Sequence, residues 1–240
     1  MKNKSVIAII PARGGSKGLL KKNIQKVCGK PLIYYPIKSA IKSMVCDKIL
    51  VSTDSKEIAQ ISKKYGAEVP FLREKKFSGD RVTTEKTLQH ALKQAEAFYK
   101  QKFDICVFLT CTNIFRKFKY ISKAVNNLKK DSKIESSFTV SKIYKHFWHI
   151  KNKKLSKILP WMNKYTSRQI APKLYREDTG IALASKSILW RRGLRIGKKV
   201  KLIENNFIFS EIDIHNSDDL ILANLAMNIL KKNKRINEII

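Results

Sequence analysis

With 240 residues, 43% of them hydrophobic, and a formal net charge of +31, the chain is long enough for one large domain with a sizeable core and too apolar to be disordered. No apolar run approaches the roughly 20 residues that span a bilayer. The basic Met1–Ile10 stretch carries about five apolar residues where a signal segment needs ~7–15, which points to a soluble, cytoplasmic protein without a membrane partner.

The charge by itself admits a nucleic-acid binder. Yet only 10 of the 50 basic residues are arginine, the side chain that leads in base-edge and bidentate phosphate recognition, and the lysines are spread along the whole chain. A small polyanionic substrate fits the charge equally well. Cys28, Cys46, Cys106 and Cys111 form no C-x-x-C pair, so free thiols in a reducing compartment are expected rather than disulfides or a zinc site.

In chain order, Val6–Ile10 reads as a buried strand that breaks at Pro11. It feeds a Gly-rich basic loop holding Ala12, Arg13, Gly14, Gly15, Ser16, Lys17, Gly18, Lys21, Lys22 and Asn23. An apolar helix pattern covers Pro31–Met44, with Pro36 placed to kink it or delay its start. Lys48–Thr53 is a second strand, followed by Asp54 and a helix from Ser55 through Tyr65; Asp54 could cap that helix or serve chemistry at the strand end. Gly66–Leu72 reads as a short strand, 76–84 as an exposed loop containing Asp80, and 85–100 as a helix. Phe103–Thr110 is the most apolar strand and belongs near the sheet centre, which sends Thr110–Arg116 to the same edge as the opening loop. A helix over 120–128 and a strand over 135–140 follow.

From Ser141 to Arg176 the pattern loosens into aromatic residues among lysines. Such a mixture can stack bases, but it reads better as an insert that packs against a partner subunit. Strands at 180–184, 199–203 and 209–214 and helices at 185–192 and 217–231 complete the chain. The last helix is expected to turn Leu220, Ile221, Ala223, Leu225, Ala226 and Ile229 to the core. This alternation predicts an α/β fold, one domain over residues 1–240 built in three layers around a doubly wound, mostly parallel sheet, with an oligomerisation insert at about 141–176.

Three features carry chemistry. The opening loop matches neither the Walker nor the dinucleotide glycine pattern, yet glycines, free backbone N–H groups and cations after a strand make a cradle for a triphosphate. On a strand, Glu211 and Asp213 would share one face; paired carboxylates suit Mg²⁺, and a solvated strand face explains them as well. Arg168 and Arg176 carry guanidinium groups, which can pair bidentately with a carboxylate, and ordinary surface arginines would look the same.

The string PARGGSKG, then Lys22-Asn23, then Gly29-Lys30-Pro31-Leu32, resembles the opening signature of the acylneuraminate cytidylyltransferases, the CMP-sialic acid synthetase family. Ser52-Thr53-Asp54 and the stretch from Lys63 to Arg73 continue the likeness, which covers Val6 to about Leu225. It implies a nucleotide-diphospho-sugar transferase-like fold, transfer of CMP from CTP to a nine-carbon sugar acid with release of pyrophosphate, Mg²⁺, and a homodimer. It also assigns roles. Arg13, Lys17, Lys22 and Asp213 are implied to be catalytic, and Ala12 through Lys17, Lys22, Asn23, Asp80 and Thr110 to hold the nucleotide. Thr112, Arg116, Arg168, Gln169 and Arg176 fall to the sugar acid, and Asp213 with Glu211 to the metal, Glu211 standing where the family has aspartate. The family's L-Q-P-T-S-P-L-R is here Leu109-Thr110-Cys111-Thr112-Asn113-Ile114-Phe115-Arg116, which lacks the glutamine and both prolines. A relative that binds nucleotide without turning it over, or a basic nucleic-acid binder, are the competing functions.

Overall fold

The computed structural model describes residues 4–165, 167 and 169–239. Its strands are β1 (Val6–Pro11), β2 (Lys26–Val27), β3 (Lys30–Pro31), β4 (Lys48–Ser52), β5 (Ile105–Phe108), β6 (Ser136–Ile143), β7 (Trp148–Lys151), β8 (Lys154–Lys157), β9 (Leu174–Glu177), β10 (Leu183–Lys186) and β11 (Val200–Glu204). Its α-helices are α1 (Tyr34–Ser43), α2 (Lys56–Lys64), α3 (Thr84–Tyr99), α4 (Phe118–Lys130), α5 (Ser187–Arg191) and α6 (Ser217–Lys232).

The main sheet runs β11-β6-β10-β5-β1-β4, with β9 paired to β6. β1 pairs in parallel with β4 and β5, and β11 in parallel with β6, while β10 opposes both of its neighbours. β10 is thus the only strand on that path that runs against the others.

The apolar run of β1 is buried on both sides, as a strand covered by helices on each face must be. Side-chain alternation splits it. Val6, Ala8 and Ile10 join the core made with Leu32, Ile37, Ile121, Val125 and Met227; Ile7 and Ile9 join the opposite core with Leu88, Leu92 and Trp190. These two cores define the three layers.

After β1 the chain crosses to β4 on one side and later returns to β5 on the other. The sheet's switch point therefore lies between β1 and β5, and the loops leaving their C-terminal ends flank one crevice.

Several boundaries differ from expectation for local reasons. Pro36 sits in the first turn of α1, which starts at Tyr34 rather than near Pro31. Gly66–Leu72 forms no strand; one bridge, Leu50 to Glu68, precedes Pro70, which cannot donate to a ladder. The segment expected as a strand at 209–214 begins instead as a 3₁₀ turn, Ile208–Glu211, closed by Asn205 Nδ2 donating to Ser210 Oγ and by Ser210 N donating to Phe207 O. In α6 the buried residues are Ala223, Ala226, Met227 and Leu230, whereas Ile221, Leu225 and Ile229 are exposed. The 141–176 stretch is an excursion from the sheet: β6 runs out, the β7–β8 hairpin projects, and β9 returns to pair with β6 through Val140–Glu177 and Ile143–Leu174.

Candidate active site

The loop after β1 is fixed from three directions. Ala12 N donates to Ser52 O at 2.9 Å, carrying β1 on beside β4. Gly14 N donates to Asp54 Oδ1 at 2.8 Å, and Asn23 Nδ2 donates to Arg13 O at 2.9 Å. Asp54 is accordingly a loop anchor. The cap of α2 is Ser55, whose hydroxyl accepts from Ile58 N. Gly18 is required by a close approach: a Cβ there would stand 2.8 Å from His215 O. That contact presses the loop onto the segment carrying Asp213. Lys21 takes a left-handed conformation (φ 52°) and turns the chain into the 3₁₀ turn of Lys22–Ile24.

Between this loop and the one after β5 lies a cavity of about 610 Å³. Arg13, Ser16, Lys17, Lys22, Asn23, Thr110 and Thr112 line it, as expected. Arg73, Asp80 and His215 line it as well, and Phe77, Val82, Thr84, Thr87 and Phe108 supply a more apolar wall. Four lining side chains are cationic and one is a carboxylate. Arg73 was not singled out from the sequence. It is 5% exposed, its backbone N donates to Thr53 O, and its Nε donates to Ser78 Oγ at 3.1 Å, so a surface-looking arginine is in fact a wall of the cavity. Burial lowers its pKa, which the nearby Asp54 partly offsets. Burial also lowers that of Lys22, against the opposing pull of Asp213 and Asp219. Cys111, at the base of the cavity, is pushed up to about 12 by burial and stays a neutral thiol.

Ala12 is 1% exposed and belongs to the core, and Gly14 and Gly15 do not line the cavity; their part is to carry the backbone of the loop. Asp80 holds the cations themselves: Oδ1 lies 2.8 Å from Arg13 Nη2 and Oδ2 lies 2.8 Å from Lys17 Nζ. Those two cations lower its pKa, the Lys17 hydrogen bond most.

Arg116 requires a correction. Expected at the sugar acid, it is fully buried and can touch no ligand. Its Nε donates to Ile181 O at 2.7 Å, and its Nη2 donates to Thr110 O at 2.8 Å and Gly180 O at 2.7 Å. It ties the loop after β5 to the turn before β10. Thr110 Oγ1 in turn donates to Asn113 Oδ1 at 2.7 Å.

Arg176 lies on β9, bound through Nε to Asp178 Oδ1 at 2.7 Å and through Nη1 to Glu211 Oε2 at 2.6 Å. Gln169 is exposed and lines none of the described cavities; Arg168 lies outside the described residues. Glu211 and Asp213 do not share a face, because the strand that would align them is a turn. Glu211 lines a second concavity of about 380 Å³ with Lys142, Glu204 and Asn205, and Asp213 Oδ2 meets His215 Nε2 at 3.0 Å. Among the described residues no three His, Cys, Asp or Glu side chains converge as a metal cluster. Mg²⁺ commonly takes one or two carboxylates and completes its shell with substrate phosphates and water. Asp213, half-exposed and within electrostatic reach of Lys22, fits that pattern; Glu211, engaged by Arg176, does not.

A doubly wound sheet with a cationic, Gly-rich loop at its switch point defines an α/β domain built to bind a polyanion. The particular family follows from comparison: residues 7–217 match the cytidylyltransferase family profile, and the chain belongs to that family. It is 31% identical over 230 residues to the post-translational flagellin modification protein B of Campylobacter coli, covering 95% of each. It is 46% identical over 92 residues to the pseudaminic acid cytidylyltransferase of Campylobacter jejuni subsp. jejuni serotype O:23/36 (strain 81-176), a match spanning 38% of each chain. The fold is that of CMP:2-keto-3-deoxy-manno-octonic acid synthetase solved with CTP, with a TM-score of 0.68 and 14% identity over 94% of this chain and 99% of that one.

Proposed function

We propose that this protein transfers CMP from CTP to the anomeric hydroxyl of a nonulosonic acid and releases pyrophosphate. The observation that carries the reading is the cavity at the switch point, where Arg13, Lys17 and Lys22 stand on a loop pinned by Asp54 and Asn23. In this reading the triphosphate lies along those cations, and the Phe77, Val82 and Phe108 wall takes the nucleoside. The sugar hydroxyl attacks the α-phosphorus, the bond to the bridging oxygen breaks, and Arg13, Lys17 and Lys22 stabilise the charge that gathers on pyrophosphate. Asp213 would hold Mg²⁺, whose chemistry there is to polarise phosphate oxygens and acidify a bound hydroxyl. In this reading Arg176 takes the acid's carboxylate once Glu211 gives way.

A cytoplasmic homodimer belongs to this reading. Among the described residues no helix is long and apolar enough to cross a membrane. The β7–β8 hairpin leaves Trp148, Ile150 and Leu155 exposed, Ile150 facing Leu155 across the strands, as a surface for a second copy. Base stacking has less support, because His146 stacks on Tyr165 (5.0 Å) within the insert itself. One observation favours a second reading, a relative that only holds nucleotide: Thr110 spends its hydroxyl on Asn113 and Gly180.

Incubation with CTP, Mg²⁺ and a panel of pseudaminic, diacetyllegionaminic and N-acylneuraminic acids, following pyrophosphate, tests the reading. Release with at least one acid is expected. No release with any of them, together with retained CTP binding, would leave the second reading.

A further inference from the structure

We propose that Asp80 is a built-in competitor for the phosphate seat: its carboxylate fills the place meant for the two terminal phosphates, so that a ligand must displace it to bind there. The inference rests on the CTP reading of the same cavity.

One carboxylate spans two cations from a separate stretch of chain, each oxygen 2.8 Å from a different one. Two anionic oxygens presented to Arg and Lys is what a phosphate offers in the same place. The parts of this contact are held very differently. Arg13 is fixed at its own carbonyl by Asn23 and at the next amide by Asp54. Asp80 lies between the 3₁₀ turn Lys75–Phe77 and α3, its side chain 46% exposed, and makes no other hydrogen bond or ion pair among the described residues. It can swing out without breaking any further hydrogen bond, and the backbone that carries Arg13 stays anchored when it does. Lys22 lines the same cavity and makes no ion pair among the described residues, so it is free to receive the incoming anion before Asp80 leaves.

A ligand that needs a seat occupied by the chain's own anion binds more weakly by the fraction of time that the seat is open. The factor is the same for CTP and for pyrophosphate. The outcome differs: CTP keeps its contacts to the nucleoside wall, whereas pyrophosphate has only the cations to hold it. Asp80 thus weakens substrate and product by one factor, which leaves pyrophosphate, the one without nucleoside contacts, the more weakly held, and it returns to Arg13 and Lys17 as pyrophosphate departs.

The test is calorimetric binding of pyrophosphate, CTP and CMP to the full chain, as wild type, Asp80→Asn, Lys17→Ala and the double variant. Two half-exposed ion pairs are worth enough to set a gain of about 3- to 30-fold. Asp80→Asn should tighten pyrophosphate and CTP by the same factor in that range and leave CMP unchanged. The gain should shrink when Lys17 is already alanine. Weaker or unchanged pyrophosphate binding by Asp80→Asn overturns the proposal, as does an equal gain for CMP. Tighter pyrophosphate with no CTP binding by either protein would uphold the seat and refute the cytidine reading.

Discussion

The cavity loop and the β9 end of the site both present cations to an anionic ligand, and they are neutralised in opposite measure. At the loop, Arg13 and Lys17 share a single carboxylate, Asp80, and Lys22 makes no ion pair among the described residues. At β9, Arg176 alone faces two, Asp178 and Glu211. Asp178 is itself held by Ser141 Oγ at 2.5 Å, and its side chain is 9% exposed. The first region keeps more cations than its single half-exposed carboxylate neutralises, a field that a polyanion enters by displacing Asp80. The second is a finished ion network that must lose a member before it can bind. Nucleotide is therefore expected to enter by displacing one weakly held carboxylate, Asp80, and the acid by displacing Glu211 from a network that Asp178 also holds.

The largest expected effect breaks the comparison by removing what lies between the regions. Arg116→Ala strips guanidinium donors from three carbonyls and leaves a cavity, a loss of about 3 kcal/mol in chemical denaturation. Both CTP binding and turnover should fall in the folded fraction, since the loop after β5 loses the guanidinium that joins Thr110 O to Gly180 O and Ile181 O. Arg176→Ala sharpens the comparison: KM for the sugar acid should rise about 10- to 100-fold in steady-state kinetics while the Kd for CTP measured separately stays unchanged. The smallest effect concerns Lys22. Because burial lowers its pKa, it loses its proton below the 10.5 of an ordinary lysine. CTP affinity should fall as pH rises through that range, by less than about tenfold. Lys22→Arg should flatten the fall in a binding titration across pH.

The nucleotide half of the molecule was legible because local chemistry and burial agree there. β1 is continuously apolar and its loop is rich in glycine and lysine, although the cap of α2 falls on Ser55 and not on the Asp54 that the sequence offered. The β9 half was not, for reasons visible in single residues. Phe209 to Ile214 alternates like a strand, but Asn205 and Ser210 bond within the segment and close a turn instead. That turn removes the shared face on which a Glu211–Asp213 pair depended. α6 is apolar on several faces, so periodicity could not choose between Ile221, Leu225, Ile229 and the stripe of Ala223, Ala226, Met227 and Leu230 that packs. Arg116 misled because arginine is seldom interior, and only the three carbonyls around it explain its place.

The Thr110–Asn113 contact has a consequence for how this chain can change. A Cβ on Gly180 would collide with Asn113 Oδ1 and stand 2.8 Å from Thr110 Oγ1. Positions 110, 113 and 180 therefore form one epistatic unit: no side chain can be added at 180 while the other two keep theirs. The unusual segment after β5 is a coupled set, and substitution of any one member reads out all three.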